Sequence, residues 1–232
     1  MSMKIPQYLA MTAAQFLSVA EKPPHCAWMS CHFSPGGKDL SNLPASLPPD
    51  SILILDDQFP PNGHDPERIG LQLTECMQRT NCRGLLLDFQ RPSCRETAAI
   101  AERLAALPFP VCVSDLYAKP LDVPVFAPAC PVNRTLAEHL RPWQGREIWL
   151  ETAPEICLFT ITGDGCRVSP GRPGEFPHKD AALHCRYRLE LMDSQARFTL
   201  CRQKEDVAAQ LADAGALGVT CAVGLYQELT NA

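Results

Sequence analysis

The residues in this chain with the means to do chemistry are carboxylates that end apolar runs. Asp56 and Asp57 close SILILDD, Asp88 and Gln90 close GLLLDFQ, Asp115 and Tyr117 close the run from Val111, and Glu151 closes REIWLE. His32 and Ser34 end CAWMSCHF, and Tyr226, Gln227 and Glu228 follow VTCAVGL. Carboxylates gathered in one place repel, so one of them tends to stay protonated near neutral pH, as general acid catalysis requires. Each polar strand end alone also reads as the start of a solvated loop. Acids on five or six of them form one ring only if the fold draws the strand ends together.

Such a fold is legible in the order of the elements. Apolar strand candidates occupy 26–33, 51–57, 84–90, 111–117, 123–127, 146–151, 196–202 and 219–226. Between them lie helical patterns. Asp65 and Pro66 suit the first turn of a helix carrying Ile69, Leu73, Cys76 and Met77 on one face. Residues 95–107 align Ile100, Leu104 and Leu107, and a helix from Glu205 to about Leu217 aligns Val207, Leu211 and Ala214. Eight strands close a (β/α)8 TIM-type barrel, and 232 residues fall near the small end of its range. An open doubly wound sheet fits less well, because SPGGKDLSN after the first strand lacks a G-x-G-x-x-G turn. The expectation is an α/β chain forming a single barrel domain over 1–232.

Residues 154–195 break the pattern. Gly163-Asp164-Gly165 separates 156–162 from 166–169, and Asp193-Ser194-Gln195 separates 184–192 from 196–202, both as hairpin turns. This segment is expected to be an antiparallel insertion within the barrel.

Barrel chemistry sits at the carboxyl ends of the strands. Alternation puts Leu86, Asp88 and Gln90 on one face of their strand and the wholly apolar Leu85, Leu87 and Phe89 on the other, which points Asp88 and Gln90 into the mouth. The same argument sends Ala222, Gly224, Tyr226 and Glu228 inward, with Val223 and Leu225 outward.

Composition narrows the partners. A net charge of −5 gives no basic face for nucleic acid, and no apolar run approaches a membrane span. An acidic mouth disfavours phosphorylated ligands. The twelve cysteines contain no Cys-x-x-Cys, and the histidines show no metal-ligand spacing, so the reading carries no zinc site and no cofactor. Pro6, Gln7, Gln15 and Glu21 interrupt the first 25 residues where a secretory signal needs apolar residues, so the expected compartment is the cytoplasm, with reduced thiols.

Arg83-Gly-Leu-Leu-Leu-Asp-Phe-Gln90 resembles the barrel strand of the family 18 glycoside hydrolases, the chitinase-like proteins, whose motif reads D-G-x-D-x-D-x-E. Gly84 and Asp88 match, Arg83 and Leu86 replace the first two acids, and Gln90 stands where the family carries its general acid. The resemblance implies a barrel that acts on or binds a carbohydrate, with Asp88 orienting a sugar ring. An amide has no proton to give a leaving oxygen, so the acid role does not transfer to Gln90. Glu151 and Glu228 are then the candidate acids, with Asp88 the third catalytic candidate. Gln90, Asp57, Asp115, Tyr117, Tyr226 and His32 are expected to line the binding surface, Tyr117, Tyr226 and Trp149 offering flat faces for sugar rings. The alternatives are a non-catalytic sugar-binding or scaffold protein on a degenerate barrel, and a Mg²⁺-dependent lyase or hydrolase using Asp56, Asp57, Asp88 and Asp115 as oxygen ligands.

Overall fold

The computed structural model describes residues 4–92 and 94–230. Eight parallel strands close a barrel: β1 (Gln7–Met11), β2 (Cys26–Phe33), β4 (Ile52–Asp56), β5 (Gly84–Asp88), β6 (Val111–Ser114), β7 (Val125–Ala127), β8 (Ile148–Glu151) and β14 (Val219–Leu225). They run around the barrel in chain order, and β1 closes the ring by pairing with β14 on one side and β2 on the other. A two-residue strand, β3 (Leu40–Ser41), adds antiparallel to the end of β2.

Helices follow most strands: α1 (Ala13–Ser18), α2 (Pro66–Thr80), α3 (Arg95–Ala105), α4 (Asp115–Ala118), α5 (Leu136–Leu140), α6 (Lys204–Ala214) and α7 (Tyr226–Leu229). The local chemistry that starts α2 is the expected one. The Asp65 carboxylate accepts from the Glu67 amide, Pro66 occupies the first turn, and Asn81 ends the helix in the left-handed region at φ 52°. Its buried stripe of Ile69, Leu73, Cys76 and Met77 packs on the outside of the barrel with Ile100 and Leu104 of α3.

Two apolar layers result. Outside the strands, Leu53, Leu55, Leu85, Leu87, Phe89 and Val113 meet the helices. Inside, Tyr8, Ala10, Ile52, Ile54, Leu86, Cys112, Phe126, Trp149, Cys221 and Val223 fill the barrel. Small residues make the large ones possible. A Cβ on Gly84 would lie 3.1 Å from the Trp149 ring, so the missing side chain is the space the indole uses. Trp149 is therefore core packing below the mouth and not a surface for a sugar ring.

A second sheet holds β9 (Glu155–Thr162), β10 (Gly165–Pro170), β11 (His178–Asp180), β12 (Cys185–Met192) and β13 (Gln195–Arg202) in the order β10-β9-β13-β12-β11, all antiparallel. Both hairpins form where their turns suggest. One strand assignment changes. Residues 196–202 pair with β9 and β12 in this sheet, and the eighth barrel strand is Gln7–Met11. The alternation of Phe198 and Leu200 with Arg197 and Thr199 is that of a strand with unlike faces, whereas a barrel strand is apolar on both.

The second sheet is tied to the barrel by Arg202. Its side chain is 2% exposed, and its guanidinium donates to the carbonyls of Cys130, Leu183 and His184. Cys130 lies in the loop after β7, so one buried cation joins that loop to the sheet.

Candidate active site at the barrel mouth

Three neighbouring strands present polar residues on one rung. His32 of β2 stands beside Asp56 of β4, and Asp56 beside Asp88 of β5. Below them on the same faces lie Ile52 and Ile54, and Leu86, all inside the barrel, so Asp56 and Asp88 continue the inward-facing rows into the mouth. Glu151 does the same above Trp149 on β8.

Asp88 is half-buried, and its carboxyl is pushed up to about 6. Burial is the main cause, and the charges of Glu151, Asp56 and Asp57 add to it, while the hydrogen bond from Gln90 opposes it. That bond runs from the Gln90 side-chain amide to Asp88 Oδ1 at 2.5 Å. Gln90 is exposed, and its amide spans the short distance to the acid two residues earlier. Glu151 accepts from the main-chain amide of Ala129 at 3.2 Å, which leans it on the loop after β7.

His32 and Asp56 form a close pair. The imidazole Nδ1 lies 2.8 Å from both carboxylate oxygens. The Phe59 ring approaches His32 edge-on at 6.3 Å. In the sequence Asp56 is one of the strand-end acids and an oxygen ligand of the Mg²⁺ alternative. Its place beside His32 depends on strand register, which no local pattern records.

The remaining expected residues lie elsewhere. Asp57 is 3% exposed and accepts the main-chain amides of Gln90 and Arg91, both at 2.9 Å, so it fixes the loop after β5 instead of facing a ligand. Tyr117 is buried in the outer layer, its ring against Phe89 and its hydroxyl donating to the Arg91 carbonyl. The strand stops at Ser114, and the helical turn beginning at Asp115 carries Tyr117 outward. Asp115 is near enough to His139 for its charge to act on that imidazole, on the α5 side of the barrel.

Glu228 and Tyr226 are displaced by an inverted face. Cys221, Val223 and Leu225 point into the barrel, while Ala222 packs outward with Val207, Leu211 and Ala214. Gly224 also belongs to the outer side, where a Cβ would come within 2.5 Å of the Thr152 carbonyl and 2.4 Å of Leu229. The chain then turns into α7. There Glu228 is exposed in a groove with Pro154, Glu155 and the residues 201–205, away from the Asp88 rung. Tyr226 is half-exposed at the first position of α7, with no hydrogen bond to the mouth acids among the described residues. The four aspartates of the Mg²⁺ alternative do not converge either. Among the described residues no group of three or more His, Cys, Asp or Glu is arranged to hold a metal ion.

Solved structures share this architecture. The crystal structure of the spore cortex-lytic enzyme SleL from Bacillus cereus aligns with a TM-score of 0.54 at 9% identity, over 97% of this chain and 71% of that one. SleL from Bacillus megaterium QM B1551 aligns at 0.55 and 9%, over 95% and 70%. The fold is shared with these enzymes. At 9% identity the likeness is one of architecture, and it extends over the second sheet as well as the barrel. No protein-family model matches the sequence, and no curated protein matches it significantly. No helix among the described residues is long and apolar enough to cross a membrane.

Proposed function

We propose that the protein binds a carbohydrate in the mouth of a glycoside-hydrolase-like barrel, with Asp88 as the principal sugar contact. The observation that carries this reading is the Asp88–Gln90 pair, on the strand that resembles family 18, facing a mouth that also receives Glu151. A carboxylate beside an amide offers acceptors and a donor at one spot, which suits the paired hydroxyls of a sugar. The architecture shared with the SleL enzymes supports the same class of ligand. Binding is favoured over hydrolysis, because Gln90 stands at the acid position and Glu228 lies outside the mouth.

A second reading, slow hydrolysis, is favoured by one observation. The Asp88 carboxyl is pushed up to about 6, so part of the population carries a proton near neutral pH and has the means to act as the acid. In that case Glu151 is the partner carboxylate. We also propose a reducing compartment, the cytoplasm, for this chain, on the ground that all twelve cysteines are free thiols.

Calorimetric titration with N-acetylglucosamine tetrasaccharide tests the proposal. Wild type is expected to bind, Asp88→Ala to lose at least about tenfold in affinity, and Gln90→Ala to lose less. Gln90→Glu restores a carboxylic acid at the family's position and is expected to produce or raise turnover of the same oligosaccharide. Absence of binding by wild type and by Gln90→Glu overturns the carbohydrate reading.

A further inference from the structure

We propose that His32 is a second ligand contact of the mouth, its Nε2 meeting a hydroxyl of the sugar that Asp88 holds, with Asp56 as the residue that positions it. This inference rests on the carbohydrate reading above and adds the residues that orient the ligand.

Four observations carry it. First, the rung His32–Asp56–Asp88 spans three adjacent parallel strands, so His32 and Asp88 stand roughly 10 Å apart at the backbone and face each other across Asp56. Second, the imidazole is held from one side only. Nδ1 sits 2.8 Å from both oxygens of Asp56, and a carboxylate only accepts, so Nδ1 carries the proton. Third, Nε2 has no hydrogen-bond partner among the described residues and is not one of the buried unpartnered side-chain atoms, so it meets solvent. Fourth, the ring is only 16% exposed and rests against Phe59, so its orientation is held while one nitrogen stays open.

The Nδ1–H form leaves a lone pair on Nε2, which accepts from a sugar hydroxyl. When the imidazole takes up a proton, Nε2 donates instead, toward a ring or hydroxyl oxygen. The groups around it are Asp56 on β4, Asp88 beyond it on β5, Phe59 above, and the Ser41 hydroxyl, which donates to the His32 carbonyl from β3. Asp56 locks which nitrogen is free, as second partners of imidazoles do in many sites.

The test joins calorimetry with side-chain nitrogen NMR, using N-acetylglucosamine tetrasaccharide as the probe. In wild type the His32 resonances are expected to report the Nδ1–H tautomer, and saturating oligosaccharide is expected to shift Nε2. Asp56→Asn is expected to mix the tautomers and weaken binding. His32→Gln is expected to lose about tenfold in affinity with its thermal midpoint close to wild type. Wild type that binds while its Nε2 resonance stays still, or while His32→Gln binds as tightly, overturns this inference alone. Wild type that binds no oligosaccharide overturns it together with the carbohydrate reading.

Discussion

Gln90 gives its side-chain amide hydrogen to the carboxylate of Asp88, two residues back along the chain, and burial keeps that carboxyl near a pKa of about 6 despite the bond. The pair makes the mouth pH-sensitive. An acid whose pKa is higher in the folded state takes up its proton on folding. Folding is therefore favoured as pH falls from about 6 toward the ordinary aspartate range near 4, and above about 6 the buried charge costs stability. Two pK units correspond to roughly 3 kcal/mol at most. Asp88→Asn is expected to raise unfolding free energy by about 1–3 kcal/mol at pH 8 and to leave it nearly unchanged at pH 4, as read from urea midpoints at both values.

Arg202 has a different kind of cost. Replacing it with Met leaves buried carbonyls of Cys130 and Leu183 without their donor. Loss of about 2–4 kcal/mol is expected in urea denaturation. Arg202→Lys should recover only part, since one ammonium cannot reproduce the fork.

Glu228→Gln is expected to change neither oligosaccharide affinity nor stability by more than about 0.5 kcal/mol, because the side chain is exposed on α7. Glu151→Gln removes a carboxylate that raises Asp88, so the Asp88 titration, followed by carboxyl carbon NMR, should move down. An unmoved titration would separate Glu151 from the mouth.

The thiols differ in reactivity for a structural reason. Cys94 is exposed at the N-cap of α3, and its hydrogen bond with the Thr97 hydroxyl, helped by the nearby amides of the first turn, holds its thiol below the usual range. Burial pushes Cys221 up to about 12 and Cys26 and Cys185 up to about 11. Brief alkylation at pH 7.5, mapped by mass spectrometry, should label Cys94 ahead of Cys166, which is also exposed, and leave the buried Cys31, Cys112 and Cys221 to the last. Thr97→Val should remove the lead of Cys94.

The parts of this architecture readable from residues are those where one physical demand dominates. SILILD and GLLLD are apolar on both faces because both faces are buried, and each ends in an acid because the chain there meets the mouth. Asp65-Pro66 starts α2 by purely local chemistry. Parity is harder. In VTCAVGL both faces are apolar, so the alternation that identified Asp88 has no polar member to fix which side is inner, and Gly224 reads as interior although it is small to clear Thr152. At five residues QYLAM is too short to show a periodicity, whereas ARFTLCR is apolar enough to read as a barrel strand although its polar face belongs to an antiparallel sheet. Asp57 binding the amides of Gln90 and Arg91, and His32 finding Asp56, depend on neighbours far along the chain.

The closure of the barrel at β1 carries a consequence for synthesis. Gln7 pairs with Ala222 and Ala10 with Leu225, so the earliest-made strand of the barrel completes its hydrogen bonding with the latest-made one. At 5–20 residues per second, one edge of QYLAM waits roughly 10–40 seconds for its partner. Until VTCAVGL arrives, the barrel strands already made leave a free edge open to pairing with another chain.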